Sequence, residues 1–204
     1  MILSFSMRKA RFLPLFAALL LPVVHAAPAP AEVVAGFHDT LIDNMRQGSA
    51  LSCSGRIQHL KPVIENTFDL PFLAQHILRR HWAKLSDAQQ AEFISTLEDM
   101  VVTTYASQFT RFNGEKFVSL ETQEMASDRR VVHVRLELKS GDPVRFDYVM
   151  RDTPKGWRTI NVIAEGVSDL ALRSAQYDRV IKDKDFDGLL TQIREQTAKT
   201  KNNC

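Results

Sequence analysis

The stretch Val132–Arg151, VHVRLELKSGDPVRFDYVMR, decides the fold. Val132, Val134, Leu136 and Leu138 alternate with His133, Arg135 and Glu137. After the turn Ser140-Gly141-Asp142-Pro143, Val144, Phe146, Tyr148 and Met150 alternate with Arg145, Asp147 and Arg151. Successive side chains of a strand point to opposite faces, so each segment has one apolar and one polar face. Such alternation describes antiparallel strands with one face buried and one wet. Working outward, a first strand is expected at about Lys116–Glu121 and a fourth at about Trp157–Ala164, with Lys155-Gly156 as the last turn. The block therefore predicts a four-stranded antiparallel meander.

On both sides of this block the period becomes helical. Val34, Phe37, Leu41 and Met45 recur at helical spacing between Ala31 and about Arg46. A second helix is expected at about Arg56–Thr67, with Ile57, Leu60 and Ile64 on one face and a kink or break at Pro62. Asp69 can cap a third helix that tolerates Pro71 in its first turn. Ser86 with Gln89 forms a capping-box pattern for the longest helix, whose face reads Phe93, Leu97, Met100, Val101, Tyr105 and Phe109 before Asn113-Gly114 stops it. Two more helices are expected after Gly166, at about Ser168–Lys182 and Asp187–Lys199. Helices segregated from a single antiparallel sheet mean an α+β fold.

The first 26 residues have the three parts of an export signal: Arg8, Lys9 and Arg11, an apolar run from Phe12 to Val24, and Val24-His25-Ala26 before the cut. That run is about 13 residues, shorter than the roughly 20 that span a bilayer. Residues 27–31, rich in Pro and Ala, form a short tether. One domain is expected at 32–200, followed by a tail at 201–204. Without Arg8, Lys9 and Arg11 the 26 basic residues become 23 against 24 acidic ones, a net charge of −1. A nearly neutral chain is expected to have no electrostatic footprint for nucleic acid and no polybasic patch large enough to hold it on an anionic membrane. Cys53 and Cys204 remain after the cut. An oxidising compartment permits them to pair; the alternative is a partly buried Cys53 and a loose terminal thiol.

Common catalytic patterns are missing. The sequence has no G-x-x-x-x-G-K-[ST], no G-x-G-x-x-G and no G-x-S-x-G. His38, His59, His76, His81 and His133 fall in no H-E-x-x-H pattern, and two distant cysteines do not read as a zinc site. These histidines read as surface or satisfied core residues, and no cofactor is implied.

Several segments, in order, carry a family resemblance: Thr67-Phe68-Asp69-Leu70-Pro71, then Leu85-Ser86-Asp87-Ala88-Gln89-Gln90 leading into Phe93. Thr104-Tyr105-Ala106, Phe112-Asn113-Gly114-Glu115-Lys116 and Phe146-Asp147-Tyr148-Val149-Met150 follow. Gly156-Trp157-Arg158 and Val162–Ser168 complete the set. Over about Ala31–Gln196 the chain resembles the MlaC, or toluene-tolerance, family of periplasmic lipid-binding proteins. Ser54-Gly55-Arg56, Leu60–Ile64 and Thr67–Pro71 are similar to its hopanoid-associated branch, HpnM.

The resemblance implies an NTF2-like curved four-stranded sheet wrapped by helices around an apolar lipid cavity, with no catalysis. It implies a periplasmic shuttle for hopanoid or glycerophospholipid. It also implies docking to an inner-membrane complex of an MCE-domain protein with an ABC transporter, and to an outer-membrane lipoprotein complex. Val132, Val134, Leu136, Phe146, Tyr148 and Met150 would line the sheet face of the cavity, opposite Val101, Tyr105 and Phe109. An ordinary filled core would use the same residues. The Tyr105 hydroxyl would reach an ester or head group at the mouth, or else find a backbone partner as a buried tyrosine. Trp157 would edge the cavity or cap the sheet. Two other classes compete: an enzyme on an NTF2-like scaffold acting on a small apolar substrate, and an envelope adaptor with a filled core.

Overall fold

The structure, a computed structural model, describes residues 27–126 and 128–204. The expected export signal at 1–26 lies outside the described residues. The chain folds as α+β. Four helices precede the strands: α1 (Pro30–Gln47), α2 (Cys53–Thr67), α3 (Leu70–Leu78) and α4 (Asp87–Gln108). Strands β1 (Lys116–Ala126), β2 (Arg129–Glu137), β3 (Val144–Arg151), β4 (Arg158–Ala164) and β5 (Val167–Ser168) form one antiparallel sheet in sequential order. Helix α5 (Asp169–Asn202) closes the chain.

The sheet has five strands where the alternation predicts four. The Glu165-Gly166 pair, at φ 49° and 79°, turns β4 tightly back on itself, and the two residues of β5 are too few to show a period. In the β2–β3 hairpin Val132 faces Tyr148, Val134 faces Phe146, and Leu136 faces Val144. The predicted apolar face is thus continuous across the hairpin. On the other face His133 Nδ1 and Asp147 Oδ1 lie 2.7 Å apart, with His133 opposite Asp147 in the register.

Local chemistry explains the helix ends. Ser86 Oγ accepts from the Gln89 amide while Gln89 Oε1 accepts from the Ser86 amide, the reciprocal bonds of a capping box. Asp69 Oδ1 accepts from the Phe72 amide and starts α3. Helix α2 runs through Pro62 without interruption. Pro62 and Gln58, whose carbonyl loses its partner, are both exposed, so water can replace the missing bond. Within α5, Asp185 leaves helical geometry at φ 62°, and its side chain accepts from the Gly188 amide. The expected pair of helices is there, joined end to end by a self-capping break.

Two cores hold the layers together. Val34, Phe37 and Leu41 of α1 pack with Leu60 and Ile64 of α2 and with Val132, Val134, Tyr148 and Met150 of the sheet. Ala74, Phe93, Leu97, Tyr177, Leu189 and Ile193 join α3, α4 and α5. Cys53 and Cys204 form a disulfide, which ties the start of α2 to the last residue. Buried Arg56 reinforces the same corner. Its guanidinium donates to the main-chain oxygens of Ala106 (3.0 Å), Leu51 (2.8 Å) and Cys204 (2.8 Å). Ala106 lies in the last turn of α4, where unpaired carbonyls favour a cation.

Candidate functional site

The two cores leave a cavity of about 340 Å³ between β3–β5, the C-terminal half of α4 and the start of α5. Three junctions shape it. The Phe68 backbone bridges to Thr159 of β4, and the Asp69 amide donates to the Thr159 carbonyl (3.0 Å), which pins the α2–α3 corner against the sheet and sets Phe68 on the wall. The tight Glu165-Gly166 turn brings β5 back along β4. Asn161 Oδ1 then accepts from Ser168 Oγ (3.1 Å) and the Leu170 amide (3.2 Å), fixing the first turn of α5 over the opening.

Most of the wall is apolar, and much of it is aromatic. Tyr105 stands edge-on to Phe37 at 5.1 Å between centroids and stacks near Phe109 at 5.9 Å. Phe109 neighbours Phe117 (6.2 Å), and Phe117 stacks on His38 (3.9 Å). His38 Nε2 and the Tyr148 hydroxyl lie 2.9 Å apart, and Tyr148 neighbours Phe146 (6.3 Å). Rings therefore follow one another around the cavity from Phe68 to Phe146. Apart from the Tyr105 and Tyr148 hydroxyls, the polar side chains of the lining are Thr104, Gln108, Asn161, Asp169 and Arg173, of which Asp169 and Arg173 are ion-paired at 2.7 Å.

Burial sets the protonation of these groups. It lowers the His38 pKa to about 3, so the ring is neutral near pH 7. Burial, and then the Asp169 carboxylate, raise the Tyr105 pKa, so its hydroxyl stays protonated. Burial likewise raises that of Tyr148. The Tyr105 hydroxyl has no hydrogen-bond partner among the described residues and is left to the cavity it lines.

Of the ten residues expected at the site, Val101, Tyr105, Phe109, Phe146 and Tyr148 line this cavity. Val132, Val134 and Met150 lie on the same sheet face but beneath α1 and α2, in filled core. Leu136 is buried near the end of β2 and is not among the residues that line the cavity. Trp157 packs at the edge of the α1–α2 core with Arg130 over its ring (5.6 Å). The sheet face is thus divided: helices fill it at β2 and leave it open toward β5. Sequence reasoning missed Phe68, Leu73, Phe117, Val162, Leu170 and Arg173. Val162 and Ala164 oppose Tyr148 and Phe146 in the register, so the β4 alternation could have found Val162. Nothing local marks the others, which are brought in by the α2–α3 corner, β1 and α5.

Comparison with known proteins gives two likenesses. The family described as MlaC protein matches residues 36–195. A phospholipid-binding protein from Ralstonia solanacearum, solved in complex with a phospholipid, superposes with a TM-score of 0.74 at 19% identity. That likeness, one of fold, covers 83% of this chain and 97% of the other.

Proposed function

Because the chain belongs to the MlaC family, we propose that it is a periplasmic carrier that holds a membrane lipid by its apolar part and moves it between the inner and outer membranes without catalysis. The observation that supports this most is the cavity itself. It is walled mostly by rings and aliphatic side chains, with Asp169 and Arg173 ion-paired where it meets solvent. The solved likeness from Ralstonia solanacearum holds a phospholipid, which favours a membrane lipid as the ligand here.

The physical need is plain. Two acyl chains hold roughly 30 methylenes, each costing about 0.8 kcal/mol to expose to water, so unaided release from a bilayer costs on the order of 20 kcal/mol. A dry cavity need only match the solvation of the bilayer, and bound and membrane states come near balance. The Tyr105 hydroxyl, protonated and unpartnered among the described residues, would donate to an ester or head-group oxygen. Val101, Phe109, Phe146 and Tyr148 would contact the hydrocarbon. Direction would come from the partners proposed at either end, an inner-membrane MCE-domain and ABC-transporter complex and an outer-membrane lipoprotein complex.

The ligand we favour is hopanoid, alone or alongside phospholipid. The segment similar to the hopanoid-associated branch, Ser54–Pro71, forms α2 and the corner that sets Phe68 on the wall. Flat ring walls suit a rigid fused-ring hydrocarbon, which loses little internal entropy on binding. Native mass spectrometry of gently purified protein, including protein from a hopanoid-producing host, should show a non-covalent lipid adduct. Bare protein from every mild preparation would refute the carrier reading.

A further inference from the structure

The described chain carries a net charge of −1, yet one face is strongly basic. Where α3 ends against α5, Arg79, Arg80, Arg179 and Lys182 border a shallow depression whose sole carboxylate is Asp178. Arg80 Nη2 (2.7 Å), His81 Nε2 (2.8 Å) and Lys182 Nζ (2.7 Å) all converge on that carboxylate. Arg79 and Arg179 are exposed and have no ion-pair partner among the described residues. Four cations against one anion leave a local excess of three. Arg79 also holds φ 49°, a conformation that glycine adopts without strain and arginine does not. Its side chain is kept there at a conformational cost.

This face borders the cavity mouth. A second shallow depression shares Arg79, Ser174 and Ala175 with the first and reaches Ser168 and Leu170, the turn that closes the cavity. On the far side of that turn Val167 and Leu172 line the cavity and are 57% and 48% exposed. Leu172 and Arg179 are two helical turns apart, so they share the outward ridge of α5, about 10 Å from each other. The ridge turns acidic only beyond them, at Asp183. At the mouth, Arg173 is balanced by Asp169, and Glu165 bonds the Arg145 backbone amide.

We propose that this face, Val167 and Leu172 at the rim with Arg79, Arg80, Arg179 and Lys182 behind them, seats the protein directly on an anionic bilayer with the cavity mouth toward the lipid. Apolar residues beside cations match the layered chemistry of a bilayer surface, where side chains enter the acyl boundary and cations meet head-group phosphates. An acidic protein face would account for the cations but not for the exposure of the two apolar residues at the rim. The purpose of such seating rests on the carrier reading; the contact itself does not.

Vesicle co-sedimentation tests it. At low salt the protein should bind phosphatidylcholine vesicles that contain phosphatidylglycerol and ignore pure phosphatidylcholine, and added salt should release it. Arg79→Gly with Arg179→Gln should weaken partition about 30-fold, from two surface charges lost. Arg79→Gly relieves backbone strain, so circular dichroism should show an intact fold. Lys155→Gln, in the turn at the other end of β4, should change partition less than Arg79→Gly alone. Val167→Ser with Leu172→Ser should also weaken binding. No binding to anionic vesicles at low salt, as expected if an acidic protein is the true partner, overturns the proposal. So does a double charge variant that binds like the parent. Vesicle binding by protein that never carries lipid in native mass spectrometry would support the seating face and count against the carrier reading.

Discussion

Val134 and Phe146 face each other across β2 and β3, and their side chains meet different surroundings. Val134 is fully buried beneath α1 and α2, whereas Phe146 lines the cavity. Val134→Asp should therefore unfold the protein, because an unpaired carboxylate would sit in filled core at a cost of several kcal/mol. Phe146→Asp should keep the fold, since the cavity can admit water, and lose lipid loading. Circular dichroism with native mass spectrometry separates the two. Equal loss of structure in both would show that the cavity at Phe146 does not tolerate water. His38 offers a second test. Its native pKa of about 3 lies below the unfolded value of 6.5 because the ring is buried. Above pH 6.5 the ring is neutral in both states and contributes no pH dependence. As pH falls from 6.5 toward 3, the unfolded chain takes up a proton that the native state refuses, and stability drops, by about 2 kcal/mol at pH 5. Urea unfolding of His38→Gln should show a shallower decline over that range. Alternation alone put Val134 and Phe146 on one face, and nothing in the sequence separated their surroundings.

At the scale of elements, the corner made by α2, the end of α4 and the chain end carries the most non-local chemistry. The Cys53–Cys204 disulfide spans a separation of 151 residues, and Arg56 binds three main-chain oxygens beside it. Closing so long a loop stabilises mainly by restricting the unfolded chain, typically by about 3–5 kcal/mol. Cys53→Ser with Cys204→Ser should lower the unfolding free energy by that amount and loosen the last turn of α5 first. Hydrogen exchange at residues 197–202 would report it; unchanged protection there would mean that Arg56 alone holds the corner. The capping residues Ser86 and Asp69 were legible because a cap is a bond between neighbours in sequence. The disulfide was not, since composition permitted it and only the return of α5 to α2 brings the two sulfurs together. Strand β5 was missed for a related reason: its two residues are held by pairing to β4, not by any pattern of their own.

At the scale of the whole molecule the question is which lipid fits. A cavity of about 340 Å³, within the roughly 300–1,000 Å³ range of ligand sites, is walled by flat rings that suit a rigid hydrocarbon. Hopanoid is accordingly expected to compete with labelled phospholipid for lipid-free protein. Excess hopanoid that displaces nothing and shows no binding of its own would exclude the hopanoid preference and leave a phospholipid carrier standing. The sequence by itself determined the α+β class, the starts of α3 and α4, the β2–β3 hairpin and its apolar face, because periodicity and capping act over a few residues. It also determined the family, through ordered segments spread along nearly the whole chain. Tertiary structure alone decided that this apolar face is filled under α1 and α2 and open beside α5. A cavity is space left between elements, and its position depends on how distant helices pack, which no local run of residues encodes.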